Sequence, residues 1–346
     1  MAYDKQNWTV FYQLAAELLE AEPWLHFDDG QLFCIKYLES EEPVYVNILG
    51  NAGNTYGLVF YEGEDGLNDY NLLRTGGDLN LPPVYPLFQQ NCLTIYFGEE
   101  EEMPDEQYEI FAESGFDFND SVLGIPYVLS LRRGFYPWTP ENVEIAKLNA
   151  WLRMFLDVLP YGLPSENWGF GMDHGCCYCD ITAEDEDDWT FDYPPLPSID
   201  YTAELATFSD EQIRDQIRNA RRNDMIFEMD VHYTNMHISD PAWPRPCAAP
   251  FVLAADTATG MIIGEKLAEP DEDISLVMNE ILLNTVSDYG IPREIRVRSV
   301  LFADMIESAA DLMKTTVNIC DSLKAIDEAV EFLESGMTGM HNEMLS

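Results

Sequence analysis

Residues 226–233 read IFEMDVHY and residues 251–267 read FVLAADTATGMIIGEKL, and these two stretches decide the fold of the carboxy-terminal half. The first is a strand-length run rich in apolar and aromatic residues, followed by a Pro-rich loop. The second contains two such runs, 251–255 and 261–267, around DTATG, where Gly260 can close a tight hairpin. Three antiparallel strands are therefore predicted. Beyond them, Val277, Met278, Ile281 and Leu282 recur at helical spacing over 274–289, and Gly290 with Pro292 supplies a stop. A strand at 294–298, a helix at 302–313, a short strand at 316–319 and a helix at 323–333 complete the order βββαβαβα. The prediction is an α/β domain on a mixed five-stranded sheet.

Working backwards, Ser209 to Gln212 has capping-box spacing and opens a helix with Ile213, Ile217 and Ala220 on one face. Residues 161–207 contain Pro164, Pro194, Pro195, Pro197 and the acidic run 184–188, without sustained periodicity, and read as a linker. The amino-terminal part begins with an amphipathic helix over 7–21 (Trp8, Phe11, Leu14, Ala15, Leu18) that Pro23 stops. Extended runs at 32–38, 44–49 and 55–61, the last two joined by GNAGN, form an antiparallel meander, and 92–97 and 127–132 add two strands. A helix follows from Thr139-Pro140-Glu141 to about residue 159. The predicted organisation is an α+β domain at 1–160 with helices against one face of its sheet, a linker at 161–207, and the α/β domain at 208–340.

Composition narrows the function classes. Of 346 residues, 63 are Asp or Glu and 18 are Lys or Arg, a formal net charge of −45. Such a surface repels phosphate backbones, and the short basic clusters, Arg132-Arg133 and Arg214, Arg218, Arg221, Arg222, are too small to release the counterions that nucleic-acid affinity requires. The start carries Asp4, Gln6 and Asn7 where a signal peptide would be apolar, and no run is long and apolar enough to span a bilayer. Seven scattered Cys suit reduced thiols. The expectation is a cytoplasmic protein with no membrane association. No Gly-rich phosphate loop, HExxH or GxSxG is present.

The ordered segments FEMDVHYT (227–234), AADTATGMIIGEKL (254–267), IPREIRVRS (291–299) and DEAVEFLE (327–334) resemble the ribonuclease-H-like core of integrases and transposases. That resemblance implies a metal-binding Asp at Asp230 and a closing carboxylate at Glu328, Glu331 or Glu334. Its chemistry needs carboxylates around two divalent ions about 4 Å apart. The second acid belongs at the end of the strand at 294–298, where this chain has Val297-Arg298-Ser299-Val300, and a cation there opposes metal binding. The resemblance therefore implies the fold rather than the activity. Over most of its length the chain also resembles an uncharacterised two-domain bacterial family of unknown function, through LAAELLEAEPWLHFDDGQLFCI (14–35), VNILGNAGNTYGLVFYEGEDGL (46–67), RRGFYPW (132–138) and PFVLAADTATGMIIGEKL (250–267).

If the core were active, Asp230, Asp256 and Glu331 are the candidate catalytic groups, with Asp230 and His232 as candidate metal ligands and Mg2+ or Mn2+ as cofactor. Asp256 has a competing local role, because it precedes Thr257-Ala258-Thr259-Gly260 and can accept turn amides. Cys176, Cys177 and Cys179 with His174 have zinc-ligand chemistry but lack a second ligand pair at structural-zinc spacing. The leading expectation is a noncatalytic protein that binds a protein partner on a degenerate scaffold, without a cofactor. The alternative is a divergent metal-dependent nuclease or phosphoryl-transfer enzyme using Asp230 and a carboxy-terminal Glu.

Overall fold

The computed structural model describes residues 3–118, 121–162, 175–195, 217, 220–233 and 237–333. The chain forms two compact units, each an α+β arrangement around its own sheet, of seven and five strands. The units are not contiguous in sequence: the first takes Met1–Asn71, Gln90–Arg132 and Pro137–Asp200, the second Leu72–Gln89, Arg133–Tyr136 and Tyr201–Ser346.

In the first unit, α1 (Lys5–Ala21) starts where the Asp4 carboxylate accepts the Gln6 and Asn7 amides and ends at Glu22, which has a left-handed backbone. The sheet runs β5-β4-β3-β2-β1-β6-β7, with β1 at Leu32–Tyr37, β2 at Val44–Leu49, β3 at Tyr56–Glu62, β4 at Cys92–Gly98, β5 at Ile125–Leu131, β6 at Cys176–Ile181 and β7 at Thr190–Asp192. All neighbours are antiparallel except β1 and β6. Side chains alternate as strand geometry demands. Phe33, Ile35, Val46, Phe60 and Ile95 share a core with α1 and with α5 (Asn142–Gly162). Leu32, Cys34, Tyr45, Val59 and Tyr61 meet Leu67 and Tyr70 of α2 (Gly63–Thr75).

Two expectations are corrected here. Helices cover both faces of this sheet rather than one, because α2 supplies apolar contacts to the second face. The segment expected as a linker contributes β6 and β7: the short apolar run of Cys176, Cys177, Tyr178 and Cys179 has no local periodic context, and its partner β1 is distant in sequence. The rest of that segment, at 163–174 and 196–207, lies outside the described residues. The edge strand β5 is covered by α4 (Asp105–Ser114), whose buried Gln107 amide both accepts from and donates to the Val128 backbone, blunting an otherwise open edge.

In the second unit the order is β10-β9-β8-β11-β12. Strands β8 (Ile226–Tyr233), β9 (Pro250–Asp256) and β10 (Ile262–Leu267) are antiparallel, while β11 (Glu294–Val297) is parallel to both β8 and β12 (Thr316–Ile319). The mixed five-stranded sheet is as expected. Phe227, Met229 and Val231 pack with Val277, Met278 and Ile281 of α6 (Ile274–Tyr289) and with Phe302, Met305 and Ile306 of α7 (Val300–Met313). Leu253 and Ala255 point the other way, to Leu323, Ala325 and Ile326 at the start of α8 (324–333). Gly290 ends α6 at a φ of 95°, and a side chain there would meet the Arg221 carbonyl. Most of the helix expected from Ser209 lies outside the described residues.

Residues 72–89, which include the short helix α3 (Tyr85–Phe88), run as a strap within this second unit. Leu72, Leu81 and Tyr85 are buried in its main core. Phe88 stacks on Tyr233 with centroids 5.0 Å apart, and the Gln89 amide donates to the Tyr233 hydroxyl at 3.0 Å. Gly134 secures the strap by donating its amide to the Phe88 carbonyl at 2.8 Å.

Candidate functional site

The candidate site lies where β8 and β11 end, on the face turned towards α8. Strand periodicity sends Phe227, Met229 and Val231 to the main core and leaves Glu228, Asp230 and His232 on the opposite face. The parallel register sets Arg296 beside Glu228 and Val297 beside Met229, so Arg298 comes level with Asp230. The contact follows: Arg298 Nε donates to Asp230 Oδ2 at 2.8 Å. The other edge of the guanidinium reaches α8, where Nη2 donates to Asp327 Oδ1 at 2.5 Å. Nη1 donates to the Asp321 carbonyl at 3.4 Å.

Glu228 is 3% exposed and Asp230 5%. Glu228 Oε2 accepts the Ala325 and Ile326 amides at 2.7 and 3.2 Å. These are unpaired donors at the first turn of α8, where the helix dipole favours negative charge. Asp327 Oδ2 accepts the Leu323 amide at 3.2 Å. Burial pushes the Asp230 carboxyl above its ordinary value, and Arg298 opposes this without offsetting it. Burial works against the Arg298 charge, but Asp230 and Asp327 outweigh it and hold the guanidinium above its usual value. The cluster is a carboxylate–guanidinium–carboxylate bridge from strand to helix.

The strap closes the same end of the sheet. Asn80 Nδ2 donates to the Arg298 carbonyl at 2.8 Å, and Ser299 Oγ donates to the Leu79 carbonyl at 2.6 Å. The Ser299 hydroxyl also accepts the Leu301 amide and caps α7.

The remaining sequence candidates do not converge on Asp230. Register pairs Asp256 with Phe227 and Asp230 with Leu253, so the two acids occupy opposite faces of the sheet. As candidate catalytic groups the two would have to act together, and from opposite faces they do not. Asp256 instead accepts the Ala258 and Thr259 amides and the Thr259 hydroxyl within its own turn. Glu331 is exposed, Glu328 is exposed and paired with Lys324 at 3.7 Å, and Glu334 lies outside the described residues. The helix acid that reaches the site is Asp327. His232 is half-buried and registered against Phe251.

A pair of hard divalent ions requires several carboxylate oxygens free to turn inward. These residues do not fit one. Asp230 holds the guanidinium on Oδ2 and the Val231 amide on Oδ1, Glu228 holds helix amides, and among the described residues no group of three His, Cys, Asp or Glu is arranged to hold a metal ion. The cysteines are divided in the same way. Cys176 shares a face with Cys34, while Cys177 and Cys179 face the other core with their sulfurs 3.7 Å apart. His174 lies outside the described residues.

Asp327 and Glu228 were not identified as site residues from sequence, although Glu228 stands two residues from Asp230 and therefore on its face. Arg132, in a basic cluster noted in the sequence, is bound to Glu141 and Glu144 at 2.9 Å each. Among the described residues no helix is long and apolar enough to cross a membrane.

Comparison with known families places residues 8–162 in a match to a domain of unknown function (DUF7309) and residues 213–334 in a match to a second (DUF6930). Together they span most of the chain, consistent with an uncharacterised two-domain family. No curated protein and no solved structure matched the chain.

Proposed function

We propose that this chain is a noncatalytic cytoplasmic protein that binds a protein partner, and that its second unit is a ribonuclease-H-like scaffold whose acid cluster no longer serves chemistry. The strand order β10-β9-β8-β11-β12, three antiparallel strands followed by two parallel ones with helices between, supports the scaffold assignment. The observation that carries the noncatalytic reading is Arg298. It stands level with Asp230, in the place where such a core needs a second acid, and its guanidinium takes the oxygen a metal would use. The formal charge of −45 argues further against a nucleic-acid substrate.

The test is cleavage of duplex and single-stranded DNA and RNA in millimolar Mn2+ or Mg2+, comparing the native chain with Asp230→Asn. No cleavage above the variant is expected. Metal-dependent cleavage abolished by Asp230→Asn would move the nuclease alternative ahead. Capture from the native cytoplasm, with the bound protein identified and the pair reconstituted from purified components, tests the partner-binding half; failure of any reconstituted pair to associate overturns it.

A further inference from the structure

In the first unit, the second half of α1 and residues 117–118 and 121–123 bound a groove of about 380 Å3. Helical spacing puts Ala16, Leu19 and Glu20 on one face of α1, and Phe118, Val122 and Leu123 form the facing wall. The wall is fixed in place. Phe118 packs against Tyr12, Phe111 and Phe116 with ring centroids 6.4, 6.0 and 6.5 Å away. The Ser121 amide donates to the Phe118 carbonyl at 2.9 Å, and Ser121 Oγ accepts the Leu123 amide at 3.2 Å. This turn presents Val122, 97% exposed, beside the half-buried Leu19 and Leu123. The groove is also acidic: Glu20, Glu22 and Asp117 line it, and among the described residues no Lys, Arg or His does. Glu17, elsewhere on α1, is by contrast matched by Arg153 at 2.6 Å. The helix ends here as well, with no basic residue in its last turn, so its negative pole adds to the acids.

We propose that this groove docks a short segment of the protein partner in which an apolar residue stands between Lys or Arg residues. The inference rests on the partner-binding reading above. Its volume is near the lower end for ligand sites and suits one or two side chains of a peptide. The apolar walls stabilise an inserted apolar side chain by removing it, Val122 and Leu19 from water. Because the turn is already hydrogen-bonded, covering it requires little ordering of this chain. The acids and the helix end then decide the neighbours of that anchor. Cations beside it gain attraction at the rim, whereas acidic neighbours are repelled, and such charges govern partner choice and association rate. Acidity by itself is general to this chain, and it is the conjunction with apolar walls that marks out this place.

The experiment pans a random peptide library displayed on phage against the full native chain, with the Val122→Asp chain as counter-selection, and measures the enriched peptides by fluorescence anisotropy. Val122→Asp removes the apolar side chain without lowering the negative charge, and a side chain so exposed is replaceable without unfolding. Glu20→Lys with Glu22→Lys reverses the rim. Glu106→Lys with Glu109→Lys makes the same change in net charge on exposed positions of α4 that do not line the groove. The enriched peptides are expected to carry an apolar residue flanked by Lys or Arg. They should bind Val122→Asp and the rim variant roughly ten-fold more weakly than the native chain, with little change in the α4 variant. No enrichment, peptides without that pattern, equal affinity for Val122→Asp, or an equal loss in the α4 variant each overturn the inference. Should the rim variant be unfolded, Glu20→Gln with Glu22→Gln replaces it with the same expected direction. A reconstituted protein pair that tolerates Val122→Asp overturns the groove and leaves the partner-binding reading standing, whereas failure of any pair to associate counts against that reading itself.

Discussion

Ser299 donates its hydroxyl to the carbonyl of Leu79 at 2.6 Å, joining the residue after Arg298 to a segment that precedes it by most of the chain. Ser299 is wholly buried, and the bond fixes the strap 72–89 to the turn between β11 and α7. The matched domain at 8–162 thus contains a piece of the core belonging to the unit that holds the matched domain at 213–334.

Tyr85→Ala should therefore destabilise the second unit. Tyr85 is 1% exposed and packs edge-on against Phe302 with centroids 5.4 Å apart. Emptying such a site costs about 3–5 kcal/mol. Hydrogen exchange on the full chain should accelerate in β8, β11 and α7 while β1–β3 keep their protection. Acceleration confined to the first sheet would show that the strap does not serve the second.

Glu228→Gln should loosen α8 without unfolding the sheet. The amide side chain can still accept a hydrogen bond, but it loses the charge that complements the helix amino terminus, and the cost should be about 1–2 kcal/mol. Glu228→Ala should cost more, since two buried amides then lack an acceptor. Exchange rates over 324–333 measure both, and equal rates in the two variants would contradict the assigned role.

The pH dependence should have opposite signs at two acids, the half-buried Glu144 and the buried Asp230. Burial alone would raise Glu144, but the Glu141 amide, Arg132 and Ser130 more than offset it and hold its pKa below the ordinary value. Its stabilisation is present above the unfolded value of about 4.3 and is lost as pH falls through the folded one. Glu144→Gln should thus be less stable than the native chain at neutral pH, by about 1–3 kcal/mol, with the gap closing towards pH ~3. Asp230 is raised by burial, so its contribution is fullest below about 3.9 and declines as pH rises through the folded value. Urea melts of Asp230→Asn against the native chain should show that decline, and a gap widening with pH would reverse the assignment.

Nucleic acid should not bind at ~0.15 M salt, because the repulsion of so acidic a chain is only partly screened there. Arg132 is already engaged by two glutamates. Fluorescence anisotropy with duplex and single-stranded probes at low and moderate ionic strength checks this. Binding that persists at the higher salt and weakens on Arg218→Ala or Arg222→Ala would make that region a contact surface.

Much of the fold was legible from local pattern. The runs at 226–233 and 251–267, the Gly290 stop and the meander through GNAGN are short-range signals, since alternation, helical period and turn residues act over a few positions. From these alone the sequence determined the strand and helix order of the second unit, the five-stranded sheet, the first five strands of the other sheet and the local capture of Asp256. What it could not determine was set by partners remote along the chain. Cys176–Ile181 becomes a strand because β1 offers it a parallel edge, and Leu72, Leu81 and Tyr85 enter the second core because that core has room for them. The site was legible in half: Asp230 and the awkward cation at Arg298 were visible, but the bridge to Asp327 was not. Register across a parallel pair sets which side chains stand level, and the docking of α8 sets which helical acid faces the guanidinium. Neither is encoded in the residues beside Arg298, because both depend on long-range backbone pairing and packing that only the assembled tertiary structure supplies.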